Sequence, residues 1–172
     1  YVVVDIFSRK VVGWLVAARE EAALAEQLLA DACDREGIEP QQLTVHADRG
    51  AVMTSQTVAE MLLDLGVERS HSRPSVSNDN PYSESHVKTL KYGPTYPDRF
   101  GSLAEAEGWV ETFIRWYNTE HRHSGIGFLT PEMHHGGQGE AITAARQQTL
   151  DAAYVTHPER FVRGQPQAPE IP

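Results

Sequence analysis

The chain has 172 residues, of which 40% are hydrophobic and 23% are charged, and its formal net charge at pH 7 is −9. This composition is typical of a globular protein with a core, and the acidic balance argues against a protein that coats nucleic acid indiscriminately. No apolar run approaches the roughly 18 residues that cross a bilayer, and no segment has the layout of a signal peptide, so we expect no membrane partner. The single cysteine, Cys33, excludes an intrachain disulfide and a cysteine zinc cage, which favours a reducing, cytoplasmic location.

The charge is unevenly distributed along the chain. Residues 19–40 contain two basic and seven acidic side chains, whereas residues 69–99 contain five basic and three acidic ones. A site for a polyanion is therefore expected in the second segment. The chain also opens directly on a run of valines without an initiator methionine, and we interpret it as a fragment that starts inside a fold.

The first half of the sequence predicts alternating strands and helices. Tyr1–Phe7 and Val11–Ala17 are rich in β-branched residues and predict a hairpin. A helical pattern over Glu20–Glu36 follows, and Leu43–Ala47 predicts a third strand that delivers Asp48 at its end.

The pattern continues with a further helix and strand before a turn-rich loop. Thr54 or Ser55 can cap a helix that Gly66 closes, and Val67–His71 predicts a fourth strand. Residues 72–80 have the composition of a mobile loop, and a helix then starts at Pro81, with Asn80 as its cap.

The remainder predicts helices and a tail. Ser102 and Glu105 form a capping box at the start of a helix with an apolar stripe. One more helix is expected over residues 140–155, and the proline-rich end is typical of a disordered tail. We therefore predict an α/β domain over residues 1–131 and a C-terminal tail over 132–172.

Two carboxylates could meet at one site. Asp48 follows a strand and Glu84 lies about one turn into a helix. Mg²⁺ is bound by a few carboxylates together with water and substrate phosphates, so this pair suits metal-assisted phosphodiester chemistry. Taken singly, the same residues also fit a turn aspartate and a solvated helix glutamate.

Glu84, Lys88 and Lys91 stand at helical positions i, i+4 and i+7, and therefore on one face. That face could bind a metal-bound phosphate at one end and DNA backbone along the rest. The alternative is an ordinary Glu–Lys pair that stabilises a helix by a few tenths of a kcal/mol.

A set of linked motifs resembles the integrase catalytic core of bacterial insertion-sequence transposases. Asp48 and Glu84 are separated by 35 intervening residues, the spacing typical of this superfamily of two aspartates and one glutamate. The motifs, in order, are His46-Ala-Asp48-Arg49-Gly50, Ser72-Arg73, Asn78-Asp79-Asn80-Pro81-Tyr82-Ser83-Glu84-Ser85, Leu90-Lys91, Trp116-Tyr117-Asn118, Arg122-His123-Ser124 and Gly127-Phe128-Leu129-Thr130-Pro131.

The resemblance implies a fold and a chemistry. The fold is ribonuclease H-like, a mixed sheet flanked by helices, and the enzymes cut and join DNA with two Mg²⁺ or Mn²⁺ ions. Asp48 and Glu84 match the second and third acidic ligands, and Lys88 and Lys91 match positions that contact a DNA end. The partners implied are transposon-end and target DNA and further copies of the chain.

Three further residues of the matching motifs lie in or next to loops. Arg73 and Asn80 lie in the matching loop, where they would contact DNA. For Arg49 we favour a local ion pair with an acid.

The resemblance is incomplete at the amino end. The family's first catalytic aspartate and its central strand lie upstream of the segment that Tyr1–Ala17 matches, and Asp5 occupies a different position, beside the hairpin turn. We therefore expect two unpaired strand edges, weak Mg²⁺ binding and a chain that by itself is unstable, aggregation-prone or catalytically silent.

Three alternatives remain at this point. The chain could be a non-catalytic remnant that binds DNA or an intact transposase, a ribonuclease H-like nuclease acting on RNA–DNA hybrids, or a zinc hydrolase. The zinc alternative depends on four histidines, for which we favour structural or solvated roles: His121, His123, His134 and His135. The aromatic side chains Trp109, Trp116 and Tyr117 could stack on bases, but their helical spacing favours a core.

Overall fold

The computed structural model describes residues 1–47, 50–72, 80–93 and 95–172. Its four strands are β1 (Val2–Val4), β2 (Val11–Trp14), β3 (Thr44–Ala47) and β4 (Glu68–His71). Its α-helices are α1 (Ala22–Arg35), α2 (Gln56–Asp64), α3 (Pro81–Lys91), α4 (Leu103–Thr119), α5 (Pro131–His135) and α6 (Gly139–Thr156). Two short 3₁₀ helices occupy Ser124–Ile126 and Pro158–Arg160.

The described chain divides into two compact units. The first contains residues 1–6 and 11–113, and the second contains residues 7–10 and 114–172. The predicted boundary at residue 131 stays a prediction.

The strands of the first unit form two sheets of opposite type. β1 and β2 pair antiparallel, with Val2 opposite Trp14, as the predicted hairpin requires. β3 and β4 pair parallel, from Thr44 opposite Glu68 to Ala47 opposite His71. The mixed arrangement is thus present, but within the described residues it consists of two separate two-stranded sheets.

The helices α1 and α2 hold both sheets on one apolar core. Its buried members are Ala25, Leu29, Cys33, Val58, Leu62 and Val67. Val3 of β1 and Val45 of β3 both pack against this cluster. Since one helical layer anchors both sheets, the carboxyl ends of β3 and β4 have a fixed support.

The helix ends follow the sequence signals closely. Ser55 caps α2, because its Oγ accepts a hydrogen bond from the backbone N–H of Val58 at 3.3 Å. Gly66 follows α2 with φ +65°, a conformation that glycine adopts without strain. At α4, Ser102 Oγ accepts from the N–H of Glu105 at 3.1 Å, while the Glu105 carboxylate accepts from Gly101.

The aromatic stripe of α4 is partly core. Tyr117 is 2% exposed, so the core interpretation is confirmed for it, and Phe113 one turn earlier is 7% exposed. Trp109 stacks on Phe113 with ring centroids 5.4 Å apart. Trp116 differs, being 39% exposed, and its indole contacts the ring of His121. Helical spacing alone could not separate Trp116 from its buried neighbours.

The second unit contains a helix that the sequence did not predict. α5 spans Pro131–His135, too short for a periodic apolar pattern. Its signal is at its start: Thr130 Oγ1 accepts from the N–H of Met133 at 3.3 Å, and Pro131 occupies the first turn. α6 confirms the helix expected over residues 140–155.

The turn before α5 is held by arginine. Gly127 and Phe128 both have positive φ, +64° and +56°, and for phenylalanine this backbone conformation is unusual. Arg146 donates from Nη1 to the carbonyl of Gly127 at 2.5 Å and from Nη2 to that of Phe128 at 3.0 Å. Arg122 donates to the same Phe128 carbonyl at 3.1 Å. Two guanidinium groups therefore fix this turn.

The proline-rich end differs from the disordered tail expected from composition. Residues 165–172 have no helix or strand, but Gln165 and the backbone of Pro166 and Ala168 are hydrogen bonded to α6. Composition cannot report such contacts, because they depend on the packing of a distant helix.

Candidate functional site

The carboxyl end of the parallel pair carries a small polar network. His46 of β3 lies with its Nδ1 2.7 Å from Ser70 Oγ on β4 and with its Nε2 3.3 Å from Ser72 Oγ. The backbone N–H of Ser72 donates to the carbonyl of Ala47 at 3.1 Å, which extends the pairing beyond β4. The imidazole is thus fixed between two hydroxyl groups beside the end of β3.

The predicted acidic ligand Asp48 is the residue after β3. It lies outside the described residues, as do Arg49 and the loop residue Arg73. The proximity of Asp48 to Glu84 therefore stays a prediction.

The helix α3 begins where the sequence predicts. Pro81 occupies the first turn, where a missing N–H costs nothing, and the N–H of Glu84 donates to the carbonyl of Asn80 at 3.1 Å. Asn80 is at the N-cap position, but its side chain makes no capping hydrogen bond. Its side chain is therefore not used to satisfy the helix end, and its predicted contact with DNA stays a prediction.

One face of α3 presents the three predicted charged residues. Glu84, Lys88 and Lys91 are all exposed. On the opposite side His86 is 3% exposed, and its ring meets that of Phe113 edge-on with centroids 5.8 Å apart. The buried histidine fixes which side of α3 faces inward, so the carboxylate and both ammonium groups face solvent.

The order of these charges also suits the helix itself. Glu84 lies in the first turn of α3, and Lys88 and Lys91 lie in the last. Charges placed in this way complement the helix dipole and contribute about 0.3–1 kcal/mol each. Helix stabilisation thus explains the order of the signs, but it does not require three exposed side chains on one face.

Three of the four histidines considered for zinc pack against aromatic rings. His121 and His123 contact each other edge-on at 4.4 Å, and both contact Tyr117. His134 meets Phe7 at 4.5 Å, and His135 Nδ1 lies 3.2 Å from Ser8 Oγ. Within the ranges that the structure describes, no three His, Cys, Asp or Glu side chains form a group that could hold a metal ion.

Burial shifts the pKa values of two ionisable groups in this aromatic cluster. It lowers the pKa of His121, because desolvation disfavours the charged imidazolium. It raises the pKa of Tyr117 to about 12, although the positive charge of Arg9 acts in the opposite direction. Both groups are therefore held in their neutral forms near pH 7.

Sequence reasoning missed the role of Ser70. The available signal is the alternation Ser70-x-Ser72, which places two hydroxyl groups on the same side of one strand. Assigning them to His46 also requires the register of the parallel pair, which a sequence does not contain.

None of the helices in the described parts of the chain is long and apolar enough to cross a lipid bilayer.

Two family models, both described as "Integrase core domain", match this chain. One covers residues 1–77 and the other residues 65–131, so together they extend from the hairpin to the start of α5.

Curated relatives are insertion-sequence transposases. The chain is 36% identical over 130 residues to the transposase for insertion sequence element IS904 of Lactococcus lactis, a match that covers 75% of this chain and 51% of the relative. It is 33% identical over 132 residues to transposase InsF for insertion sequence IS3A of Escherichia coli, covering 76% and 46%. The chain thus spans about half the length of the curated relatives it matches.

Solved integrases share the fold. The catalytic core domain of BIV integrase superposes with a TM-score of 0.59 at 19% identity, covering 81% of this chain and 86% of that one. A chain of a simian T-cell lymphotropic virus intasome gives the same TM-score and identity, covering 77% and 46%. The fold is therefore ribonuclease H-like, as the sequence motifs predict.

The family models and the transposase relatives agree with the family resemblance that the sequence motifs indicate. The chain belongs to the integrase core domain family, among the DDE-type cores of insertion-sequence transposases.

Proposed function

We propose that this chain is the catalytic core of a transposase that cuts DNA at transposon ends and joins the ends to a target, in the bacterial cytoplasm. The single observation that carries the proposal is the exposed face of α3, on which a carboxylate precedes two ammonium groups over two turns. Membership of the integrase core family supports the same reading.

The donor chemistry of the proposed metal site fits Mg²⁺ or Mn²⁺. Glu84 offers hard carboxylate oxygens at an exposed helix position, with space for the water molecules that Mg²⁺ retains. Asp48 is the second proposed ligand, at the end of β3. Divalent cations held by Asp48 and Glu84 would supply activation of a water or a DNA 3′-hydroxyl and stabilisation of the departing oxygen.

Lysine side chains along α3 are proposed to bind the DNA backbone. Lys88 and Lys91 follow Glu84 on the exposed face, so they can neutralise phosphates next to the one that reacts. Arg73 and Asn80, which lie in the loop before α3, are proposed as further DNA contacts. Because transposition brings two DNA ends together, we also propose that several copies of the chain assemble on DNA.

A cleavage assay on a labelled DNA duplex in Mn²⁺ tests the catalytic proposal. Nicking that is lost in Asp48→Asn and in Glu84→Gln would support the catalytic proposal, whereas DNA binding without cleavage is the result expected if the chain by itself is catalytically silent. Glu107→Gln is the matched control, because Glu107 is an exposed glutamate of the neighbouring helix α4. Nicking that survives both test substitutions would refute the assignment of these carboxylates.

A binding assay at several salt concentrations tests the lysines. Lys88→Ala and Lys91→Ala should each lower the slope of log affinity against log salt by about 1 and weaken binding to all sequences alike. Arg160→Ala, an exposed cation of the second unit, should leave the slope unchanged.

The alternative of a non-catalytic remnant has its own outcome in these assays. It predicts DNA binding that depends on Lys88 and Lys91 but no cleavage under any metal. A preference for RNA–DNA hybrids in the cleavage assay would instead favour a ribonuclease H-like nuclease.

A further inference from the structure

Phe128 is an exposed aromatic residue on a strained turn. Its φ of +56° lies in the left-handed region, which glycine adopts without strain and phenylalanine does not. Its side chain is 50% exposed, whereas Ile126 and Leu129 around it are both 0% exposed. Packing inside the second unit therefore explains the neighbours of Phe128, but it explains neither the choice of phenylalanine at this position nor the exposure of its ring.

The backbone of this turn is held by hydrogen bonds across its base. The N–H of His123 donates to the carbonyl of Leu129 at 3.1 Å, and the N–H of Phe128 donates to the carbonyl of His123 at 2.8 Å. Strained backbone that its surroundings hold in place is common at ligand sites, because it presents a side chain in a fixed position. The ring of Phe128 is thus both exposed and preorganised.

Two arginine side chains meet at the carbonyl of Phe128. Nη1 of Arg122 and Nη2 of Arg146 lie 3.1 Å and 3.0 Å from this one oxygen atom. In the part of the chain that the structure describes, neither guanidinium group is paired with a carboxylate. A neutral carbonyl does not neutralise two positive charges, so an anion that bound beside them would relieve their mutual repulsion.

The chemistry of these side chains matches the parts of a nucleotide. A guanidinium group has more N–H donors than Arg122 and Arg146 use in the turn, and it binds phosphate through paired donors. An exposed aromatic ring stacks on an unpaired base. An acidic peptide would satisfy the two arginines but would leave the ring of Phe128 without a planar partner, so the combination favours a nucleic acid.

We propose that Phe128, Arg122 and Arg146 form a binding site for a nucleic-acid strand with an unpaired base. The Phe128 ring stacks on the base, and the two guanidinium groups bind the adjoining phosphate. Stacking of this kind tolerates any base, so the site has little sequence preference. The inference is independent of the proposed catalytic function, because it uses no residue of β3 or α3 and no metal ion.

Replacing the ring in the full chain tests the stacking contact. The probe is a single-stranded DNA of about 12 nucleotides, titrated without metal ions. Phe128→Gly should weaken binding about tenfold, the order of effect of one stacked base. Its melting temperature should stay the same or rise, because glycine relieves the left-handed strain. Val162→Ala, at a site that is 97% exposed, is the control, and equal affinity of the two variants overturns the proposal.

A second pair of variants separates stacking from a merely apolar contact. Phe128→Trp keeps an aromatic ring and should keep the affinity, whereas Phe128→Leu is apolar without a ring and should lose it. A 2-aminopurine base in the probe reports stacking by quenching of its fluorescence, which we expect with the unmodified chain but not with Phe128→Leu. Equal quenching by these two proteins overturns the proposal.

Salt dependence tests the role of the cations. Arg122→Gln keeps an N–H donor for the Phe128 carbonyl but removes the charge. The slope of log affinity against log salt should therefore fall by about 0.7, the value for one phosphate contact on a single strand. Arg160→Gln, at an exposed site of the same unit, should leave the slope unchanged. Equal slopes for the two variants overturn the assignment of the phosphate to this turn.

The same measurements in a Lys88→Ala/Lys91→Ala chain separate this site from the proposed DNA contacts of α3. The loss caused by Phe128→Gly should persist there with the same factor, and its disappearance would overturn the independence of the two sites. If Phe128→Gly binds the probe normally but alters the mass measured by light scattering, the surface contacts protein and the nucleic-acid proposal is overturned.

Discussion

His46 on β3 is hydrogen bonded to Ser70 on β4 over 2.7 Å, at the end of the parallel pair where the chain proceeds to Asp48. The contact ties the orientation of the imidazole to the register of the two strands. We predict that Ser70→Ala destabilises the fold by about 1 kcal/mol, the usual net value of one hydrogen bond.

Urea denaturation checks this value, with Ser85→Ala on the exposed face of α3 as the control. If His46 supports the position of Asp48, nicking by the Ser70 variant should also fall at a temperature where the protein is still folded. Equal stability of the two serine variants would contradict the structural role of the network.

Adjacent leucines on α2 provide a sharp test of the core. Leu62 is 1% exposed and Leu63 is 78% exposed. Leu62→Ala should lower the free energy of unfolding by about 2–5 kcal/mol, since it leaves a cavity between α1 and α2. Leu63→Ala should change it by less than about 0.5 kcal/mol. Thermal melts of the two variants should therefore differ clearly.

Two glycines with similar backbone angles should differ in how well they tolerate substitution by alanine. Gly66 and Gly37 have φ +65° and +62°. A Cβ at Gly66 would lie 2.7 Å from Pro40 Cβ, whereas a Cβ at Gly37 would have no described atom beyond its chain neighbours within 4 Å. Gly37→Ala should cost about 1 kcal/mol of backbone strain, and Gly66→Ala should cost more because a clash is added. Equal melting temperatures for the two variants would refute this ranking.

The arginine that holds the turn before α5 should not be replaceable by lysine. Arg146 donates to two successive carbonyl groups, and a lysine cannot reproduce this fork. We expect Arg146→Lys to destabilise the chain by about 1.5–3 kcal/mol, the range for hydrogen bonds from charged donors. Arg163→Lys, at an exposed site, should be neutral in the same chemical denaturation experiment.

Burial of Tyr117 predicts a loss of stability in alkali. Its pKa is raised to about 12, above the value of about 10 in an unfolded chain. Below pH 10 both states keep the proton, so the stabilisation is complete; between about pH 10 and 12 the unfolded chain loses its proton first, and stability falls. Tyr117→Phe should flatten this decline in the free energy of unfolding, whereas Tyr92→Phe, at an 85% exposed site, should not.

Local signals explain which parts of the molecule could be predicted. The helix α3 was correctly expected because Pro81 marks its start and because its charges follow a helical period. The sequence signals for the Ser55 cap of α2 and for Gly66 at its end are equally local. The signals fail where an element is too short to show a period, as in α5, or where contacts join distant residues.

Contacts between residues far apart in the chain could not be predicted from the sequence. Gln147 meets the tail 19 to 21 residues further along, and His46 meets Ser70 24 residues away. Both contacts depend on how a helix packs or how strands pair. The motifs could therefore indicate the family, but not the side chains that support the proposed site.

The buried and the exposed residues of α3 are under different constraints. Of its residues, all of which the structure describes, His86 alone is fully buried, while Glu84, Lys88 and Lys91 point to solvent. Replacing an outward side chain hardly changes the packing beneath it. Substitutions at these exposed positions could therefore change the charge of this surface, and with it the proposed DNA affinity, without destabilising the domain.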